Sequence, residues 1–155
     1  MAVAYQTLGY QETPIRVQFG FVDRYGTLWH GHLPAYLEIA RAELARPFTL
    51  GTSDLLEAEL VVPMLELDCR FKAPAFDDEA LTVQCTLLKP ELPLPELLFL
   101  YRIVRGKRSE EIARARTRQV VLRRDGRLLV RLPEAIRRRL ENVWAYLSTQ
   151  PTWSD

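Results

Sequence analysis

Residues 15–44 read IRVQFGFVDRYGTLWHGHLPAYLEIARAEL and carry two apolar patterns of different period. From residue 15 to residue 21 apolar and polar side chains alternate, which predicts a strand with one buried face. From Pro34 onward apolar residues recur at helical spacing, and Pro34 suits the first turn of a helix, where its missing N–H costs nothing. We expect this helix to end before Pro47. Its apolar stripe consists of Leu33, Tyr36, Leu37, Ala40 and Leu44.

The remainder of the chain has mainly the pattern of β-structure. A short helix is a candidate at 53–59, and four strand candidates are separated by segments with turn chemistry, including Asp125-Gly126. Pro133 opens a last helix, and the tail at 148–155 is expected to be frayed. This order indicates an α+β fold, a curved antiparallel sheet of about five strands wrapped around the 34–46 helix. The four strand candidates span residues 60–71, 80–88, 96–104 and 112–123.

Composition narrows the class of protein. A chain of 155 residues with 48% hydrophobic content is expected to form one domain over residues 1–155. The net charge of +1 gives no global attraction to nucleic acid or membrane, and no apolar run approaches the roughly 20 residues that span a bilayer. Cys69 and Cys85 are too few for a disulfide framework, so we expect reduced, buried thiols in a cytoplasmic protein without a signal peptide.

The connection between the first strand and the helix contains several residues that could take part in catalysis. It holds Asp23, a turn-permitting Gly26, and both histidines of the chain, His30 and His32. A carboxylate can act as general base or nucleophile, and free N–H groups at a helix start can stabilise an oxyanion. Asp23 is also compatible with plain turn formation. His30 could orient Asp23, bind substrate or cap the helix.

Other interpretations of the same residues are structural. A metal site at His30 and His32 lacks a third ligand at sensible spacing, so we expect none. His32 is expected at the surface or in an interface, and Trp29 either lines a pocket or packs. Glu38 and Arg41, three apart on the helix, predict an ion pair.

The ordered motifs resemble those of a known family. Asp23, Gly26, the Trp29-His30 pair and Glu38-x-x-Arg41 follow one another without a gap, and VVPMLELDCRFKAPAFDDEALTV at 61–83 supplies a second matching segment. Together they resemble hotdog-fold acyl-CoA thioesterases of the 4-hydroxybenzoyl-CoA thioesterase type, in the branch associated with the Tol–Pal system. The likeness covers about residues 15–140. Phe21, where the family often has an acid, and His32 and Leu33 depart from the pattern, which bears on acyl preference.

The resemblance implies a hotdog fold and hydrolysis of an acyl-CoA to a free acid and coenzyme A. Asp23 would be general base or nucleophile, with His30 as a second catalytic residue. The backbone N–H of His30 or Gly31 would hold the oxyanion, while Gly26 and Trp29 would contact substrate. No metal or redox cofactor is implied, since coenzyme A belongs to the substrate. The assembly would be a homodimer joined edge to edge, or a homotetramer, and long apolar strands such as 96–104 are compatible with it.

Three alternatives stay open at this point. The first is an aromatic acyl-CoA hydrolase acting on hydroxybenzoyl- or dihydroxynaphthoyl-CoA. The second is a hotdog dehydratase or hydratase, which the Asp-x-x-Gly motif disfavours. The third is a catalytically silent acyl-binding protein. Coenzyme A phosphates could contact basic residues that are otherwise solvated. These basic residues are Arg70, Lys72, Arg105, Lys107, Arg108, Arg114, Arg116 and Arg118.

Overall fold

The computed structural model describes residues 2–155 and contains one five-stranded antiparallel sheet, two short strand pairs and three α-helices. The strands are β1 (Tyr5–Gln6), β2 (Gln11–Arg16), β3 (Leu60–Val61), β4 (Met64–Phe71), β5 (Ala80–Leu87), β6 (Lys89–Pro90), β7 (Glu96–Arg105), β8 (Glu110–Val120) and β9 (Leu122–Arg123). The helices are α1 (Leu33–Ala45), α2 (Thr52–Glu57) and α3 (Glu134–Leu147), with single 3-10 turns at Phe19–Phe21, His30–His32 and Arg46–Phe48.

The five-stranded sheet has the order β2-β5-β7-β8-β4 and packs one face on α1. β1 pairs with β6, and β3 pairs with β9. The predicted α+β architecture of a sheet wrapped around one central helix, with a C-terminal helix, is confirmed. The long apolar segment at 96–104 is the central strand β7, so it offers no free edge for joining two sheets. The free edges belong to β2 and β4.

Three predicted strands differ clearly from the observed ones, and the strand expected at 112–123 is divided into β8 and β9. The strand expected at 15–21 is β2, which ends at Arg16 because its partner β5 begins opposite it at Ala80. The strand expected at 60–71 is interrupted by Pro63, which has no N–H for the ladder. Its two halves therefore join different neighbours, β9 and β8.

Helix α1 is the centre of the core, and its predicted apolar stripe is confirmed. All five stripe residues are buried against the inner face of the sheet. Tyr36 is among them, and its hydroxyl both accepts a hydrogen bond from the Gln18 N–H and donates one to the Arg16 carbonyl, each at 3.1 Å. This pair of bonds ties α1 to the end of β2, from which the Asp23 segment departs.

The C-terminal tail is ordered, so the prediction that it frays is wrong. Trp153 is only 7% exposed, and the Arg102 guanidinium lies 4.4 Å above the centre of its ring. The backbone N–H of Trp153 donates to the Leu8 carbonyl at 3.2 Å, and the Gly9 N–H donates to the Leu147 carbonyl at 3.0 Å. The prediction failed because the tail is mostly polar in sequence. Its only aromatic residue, Trp153, is buried by partners that are distant in sequence, in the N-terminal segment and on β7.

Trp153→Ala should lower the free energy of unfolding by about 3 kcal/mol, because it removes a buried indole and the stacking contact with Arg102. Urea denaturation followed by circular dichroism measures the change. Trp29→Ala is the matched control, since Trp29 is 44% exposed and should cost less than about 1 kcal/mol. Equal losses in the two variants would contradict a structural role for the tail.

Both cysteines are free thiols. Cys85 is buried as predicted, whereas Cys69 is only half-buried because it lies on the edge strand β4. Among residues 2–155, no helix is long and apolar enough to cross a membrane.

Candidate functional site

The segment between β2 and α1 forms a narrow hairpin. Val22 bridges to Leu28, and the Trp29 N–H donates to the Phe21 carbonyl at 2.9 Å. At the tip, the Asp23 N–H donates to the Thr27 carbonyl at 2.8 Å, and Gly26 adopts a φ of 76° that favours glycine. The hairpin fixes the Asp23 turn relative to the residues that open α1.

The Asp23 carboxylate caps its own turn. Its Oδ1 accepts hydrogen bonds from the N–H groups of Tyr25 at 2.9 Å and Thr27 at 3.2 Å. The Thr27 hydroxyl lies 3.2 Å from both carboxylate oxygens, and it is the only hydrogen-bonding group on Oδ2 among the described residues. Asp23 is half-exposed and forms no salt bridge within residues 2–155. The turn interpretation therefore accounts for Oδ1 and leaves Oδ2 largely free.

Two backbone donors at the helix start are unpaired. The His30–His32 turn runs directly into α1, with the Leu33 N–H donating to the His30 carbonyl. In the part of the chain that the structure describes, the N–H groups of His30 and Gly31 have no acceptor, and both residues are exposed. They lie at the positive end of the α1 dipole.

An aromatic cluster surrounds these donors. The Trp29 ring lies so close to Gly31 that a Cβ at that position would overlap it. His32 stacks on Phe21 with ring centroids 4.3 Å apart, and the Trp29 ring meets it edge-on at 5.2 Å. His32 is thus half-buried within one chain, and its expected position at the surface or in an interface stays a prediction.

A second loop, residues 73–79, supports the hairpin from the side. The Leu28 N–H donates to the Ala75 carbonyl at 2.7 Å. Arg105 on β7 holds this loop, because its Nη2 donates to the Pro74 carbonyl and to Glu79 Oε1, both at 2.7 Å. Sequence reasoning identified the loop motif but missed Arg105 as its anchor, since nothing in the sequence links positions 79 and 105.

Glu79 is held in its charged form. Although partial burial alone would raise its pKa, hydrogen bonds from Arg105 and from the Phe76 N–H bring the pKa below the ordinary glutamate value. Because the pKa of Glu79 is lower in the folded protein, its ionised carboxylate stabilises the fold at pH values above the pKa in the unfolded chain, which is about 4.3. This stabilisation is lost as the pH falls through the pKa of Glu79 in the folded protein.

Glu79→Gln should therefore cost about 1 kcal/mol of unfolding free energy at neutral pH, and this cost should disappear as the pH falls through the pKa of Glu79 in the folded protein. Denaturant unfolding of wild type and variant across this pH range measures the difference. Glu59→Gln is the control, because Glu59 and Arg124 form an exposed pair 3.8 Å apart that contributes little. A difference between wild type and Glu79→Gln that does not change with pH would contradict the ion-pair assignment.

The two cysteine thiols are poorly suited to nucleophilic chemistry, and the side chains of residues 2–155 are poorly placed to bind a metal ion. Burial, followed by the nearby Asp68 charge, raises the pKa of Cys69 to about 11, and burial raises that of Cys85 further. Neither is a thiolate at neutral pH. Among the described residues no three His, Cys, Asp or Glu side chains group as metal ligands do.

The predicted ion pair on α1 is confirmed, with Arg41 bonded to Glu38. The arginines of β8 lie on the sheet face away from α1. Arg114 pairs with Glu111, and Arg118 pairs with Glu66 and Glu96. Within residues 2–155, four of the basic candidates have no acidic partner within 4 Å. They are Arg70, Lys107, Arg108 and Arg116.

Comparison with known proteins provides evidence that is independent of the site geometry. Residues 17–140 match the thioesterase-like superfamily. A putative esterase of Aquifex aeolicus (strain VF5) is 28% identical over 108 residues, which is 70% of this chain and 81% of the relative. The crystal structure of hypothetical protein TT1821 from Thermus thermophilus has a TM-score of 0.74 at 30% identity, covering 85% of this chain and 98% of that one. DHNA-CoA thioesterase from Staphylococcus aureus shares the fold, with a TM-score of 0.76 at 19% identity over 88% of this chain and 91% of that one.

Proposed function

Because this chain belongs to the thioesterase-like superfamily and so hydrolyses thioesters, we propose that its substrates are acyl-coenzyme A thioesters and that Asp23 and the start of α1 carry the reaction. The observation that supports this assignment most is that the short segment between β2 and α1 carries both a carboxylate with a largely free Oδ2 and two unpaired N–H donors. Thioester hydrolysis requires both groups, one to generate the nucleophile and one to stabilise the oxyanion.

Asp23 acts on the carbonyl carbon of the thioester. As a general base, its Oδ2 accepts a proton from a water molecule while the water oxygen bonds to that carbon. The C–S bond then breaks, coenzyme A leaves as the thiol after taking a proton from Asp23, and the acid is released. As a nucleophile, Oδ2 bonds to the carbonyl carbon, the C–S bond breaks, and coenzyme A leaves as a thiolate that takes a proton from solvent. Water then hydrolyses the acyl–aspartate anhydride to the free acid and the Asp23 carboxylate. The bonds from Tyr25 and Thr27 hold the carboxylate in place for either route.

The N–H groups of His30 and Gly31 stabilise the negative charge that develops on the carbonyl oxygen. They are preorganised by the 3-10 turn and add to the α1 dipole. Trp29, resting on Gly31, forms a wall beside these donors, and Gly26 keeps the turn tip free of a side chain. The His30 imidazole flanks the Trp29 ring, at 5.1 Å between centroids, from where it can contact the thioester or orient Asp23.

Coenzyme A is part of the substrate, and the reaction uses no metal or redox cofactor. Its phosphates require cations that are not already neutralised, so Arg70, Arg116, Lys107 and Arg108 are better candidates than the paired arginines. Two free thiols fit a reducing compartment, which supports a cytoplasmic location. The chain acts as a single domain.

We further propose a homodimer joined through β4. This strand is an edge of the sheet, and it is exposed along almost its whole length. Leu67 and Phe71 share the face that α1 covers elsewhere, yet both are exposed there. An unprotected apolar edge is normally paired, and pairing two β4 strands about a twofold axis would extend the sheet and close that face. Homotetramers remain compatible with this dimer.

Leu67→Lys should raise the dimer dissociation constant about a hundredfold, because a charge replaces an apolar contact at the paired edge. Light scattering coupled to gel filtration measures the mass across a dilution series. Leu92→Lys is the control, since Leu92 is an equally apolar exposed residue in the loop between β6 and β7. If Leu67→Lys kept the wild-type mass at every concentration, β4 would not be the dimer edge.

Aromatic acyl-CoA thioesters are the second candidate substrate class. DHNA-CoA thioesterase, which shares the fold, and the aromatic cluster of Phe21, Trp29 and His32 support this alternative. Thiol release from matched aliphatic and aromatic acyl-CoA thioesters tests both classes at once. Turnover of either series supports the proposed function. Tight binding of every thioester without thiol release would mean that the chain is an acyl-binding protein instead.

A further inference from the structure

A cavity of about 250 Å³ lies between the second half of α1, α2, α3 and the inner face of the sheet. It is separate from the hairpin site within the same chain. Arg41, on its wall, is eight positions beyond Leu33, which places it about 12 Å along the helix axis from the start of α1. Most of the lining is aliphatic or aromatic, including Leu44, Leu60, Leu87 and Phe99.

Four of the side chains that line the cavity are polar, namely Glu38, Arg41, Thr52 and Gln119. Gln119 on β8 is only 4% exposed. Its Nε2 donates to the Val62 carbonyl at 3.4 Å, which fixes the orientation of the amide, and its Oε1 has no donor among residues 2–155. A buried acceptor without a donor costs about 1–3 kcal/mol, so a native structure normally satisfies it.

Arg41 presents the complementary group. Its Nη2 is bonded to Glu38, whereas its Nη1 is buried and has no acceptor within the described residues. Because Glu38 already balances the guanidinium charge, a bound group need not be an anion. A carboxylate would also face the Gln119 oxygen, which repels it. A hydroxyl satisfies both residues, because it donates to Oε1 and accepts from Nη1.

We propose that this cavity binds a neutral apolar molecule or group that carries one hydroxyl, held between Gln119 and Arg41. An apolar cavity of about 150 Å³ accommodates benzene, so the larger volume here suits a substituted ring or a chain of about eight to ten carbon atoms. The hydroxylated group can come from the acyl part of a thioester or from a free phenol or alcohol. Binding in this cavity does not depend on the proposed function. Only the assignment of the bound group to the acyl part of a thioester rests on it.

The test compares two probes that differ only in the hydroxyl, 4-propylphenol and propylbenzene, by isothermal titration calorimetry on the full chain. We expect 4-propylphenol to bind about tenfold more tightly to the wild type. Gln119→Leu should abolish the preference. Gln84→Leu is the matched control, because Gln84 is an equally buried glutamine on the opposite face of the sheet and should leave the preference intact.

Ala45→Leu, which narrows the cavity, should weaken both probes and so localise them. Equal affinity of the two probes for the wild type, or no binding of either, would overturn the proposal, whatever the variants do. In that case water alone satisfies Gln119 and Arg41. The wild-type comparison stands even if Gln119→Leu does not fold.

Measuring thioester hydrolysis in the presence of 4-propylphenol distinguishes the two possible origins of the hydroxylated group, the acyl part of a thioester and a free phenol or alcohol. Competitive inhibition, with KM raised and kcat unchanged, would assign the cavity to the acyl part of the substrate. Binding without competition would assign it to a free phenol or alcohol. If no thioester is hydrolysed but the hydroxyl preference is measured, the proposed function fails and this binding site remains.

Discussion

Asp23→Asn should lower kcat for acyl-CoA hydrolysis by about 10³-fold, because an amide can neither accept the proton of water nor form the anhydride. The fold should survive, since the asparagine oxygen can still accept the hydrogen bonds from the N–H groups of Tyr25 and Thr27. Thiol release measures kcat, and thermal unfolding of the same preparation measures stability. Asp23→Ala should lose the same activity and also destabilise the turn.

Asp125→Asn is a close control for this experiment. Asp125 caps another turn in the same manner, accepting a hydrogen bond from the Arg127 N–H at 3.0 Å beside Gly126, whose φ is 89°. The two substitutions are therefore chemically identical and both fall on a turn-capping carboxylate, although Asp125 also pairs with Arg127. Only Asp23 lies in the segment that joins β2 to α1. Asp125→Asn should keep wild-type kcat. If Asp23→Asn also kept it, Asp23 would be only a turn residue and the catalytic assignment would be wrong.

The parts of the fold that local periodicity determines were predictable. The stripe on α1 depends on side chains three or four positions apart, and burial follows such a pattern directly. The family and the reaction class were also predictable from the ordered motifs around Asp23 and His30, and the comparisons confirm both.

Features that depend on residues distant in sequence were not predictable. β2 ends where its partner β5 begins, and Trp153 is buried by Arg102 and by the N-terminal segment. The Arg105–Glu79 pair joins positions 26 apart without any local signal. The sequence predicted a strand edge for assembly but not which one, because edge position is a property of the strand order.

At the candidate site, the sequence identified the residue types but not their hydrogen bonding. Whether Asp23 forms a turn or activates water cannot be decided from a motif, because the same carboxylate has two oxygens and both roles are compatible. The unpaired state of the His30 and Gly31 N–H groups follows from the 3-10 turn that precedes α1, and no propensity rule predicts that turn.

His30→Pro should lower kcat by about 10²–10³-fold, the effect of removing one oxyanion donor. Proline removes the backbone N–H together with the imidazole, and it suits the backbone conformation at this position. The preceding Trp29 already has φ −70° and ψ 134°, the conformation that a residue before proline prefers, and proline is well tolerated at the start of a helix. The free energy of unfolding should therefore change little.

His30→Ala separates the backbone from the imidazole, because it removes the side chain and keeps the N–H. If the N–H is the oxyanion donor, His30→Ala should retain more kcat than His30→Pro, and the difference measures the donor alone. KM should change little in His30→Pro, since a donor that acts on the transition state affects kcat and kcat/KM alike. Equal losses in both variants would assign the effect to the imidazole, and unchanged kcat in His30→Pro would place the oxyanion elsewhere.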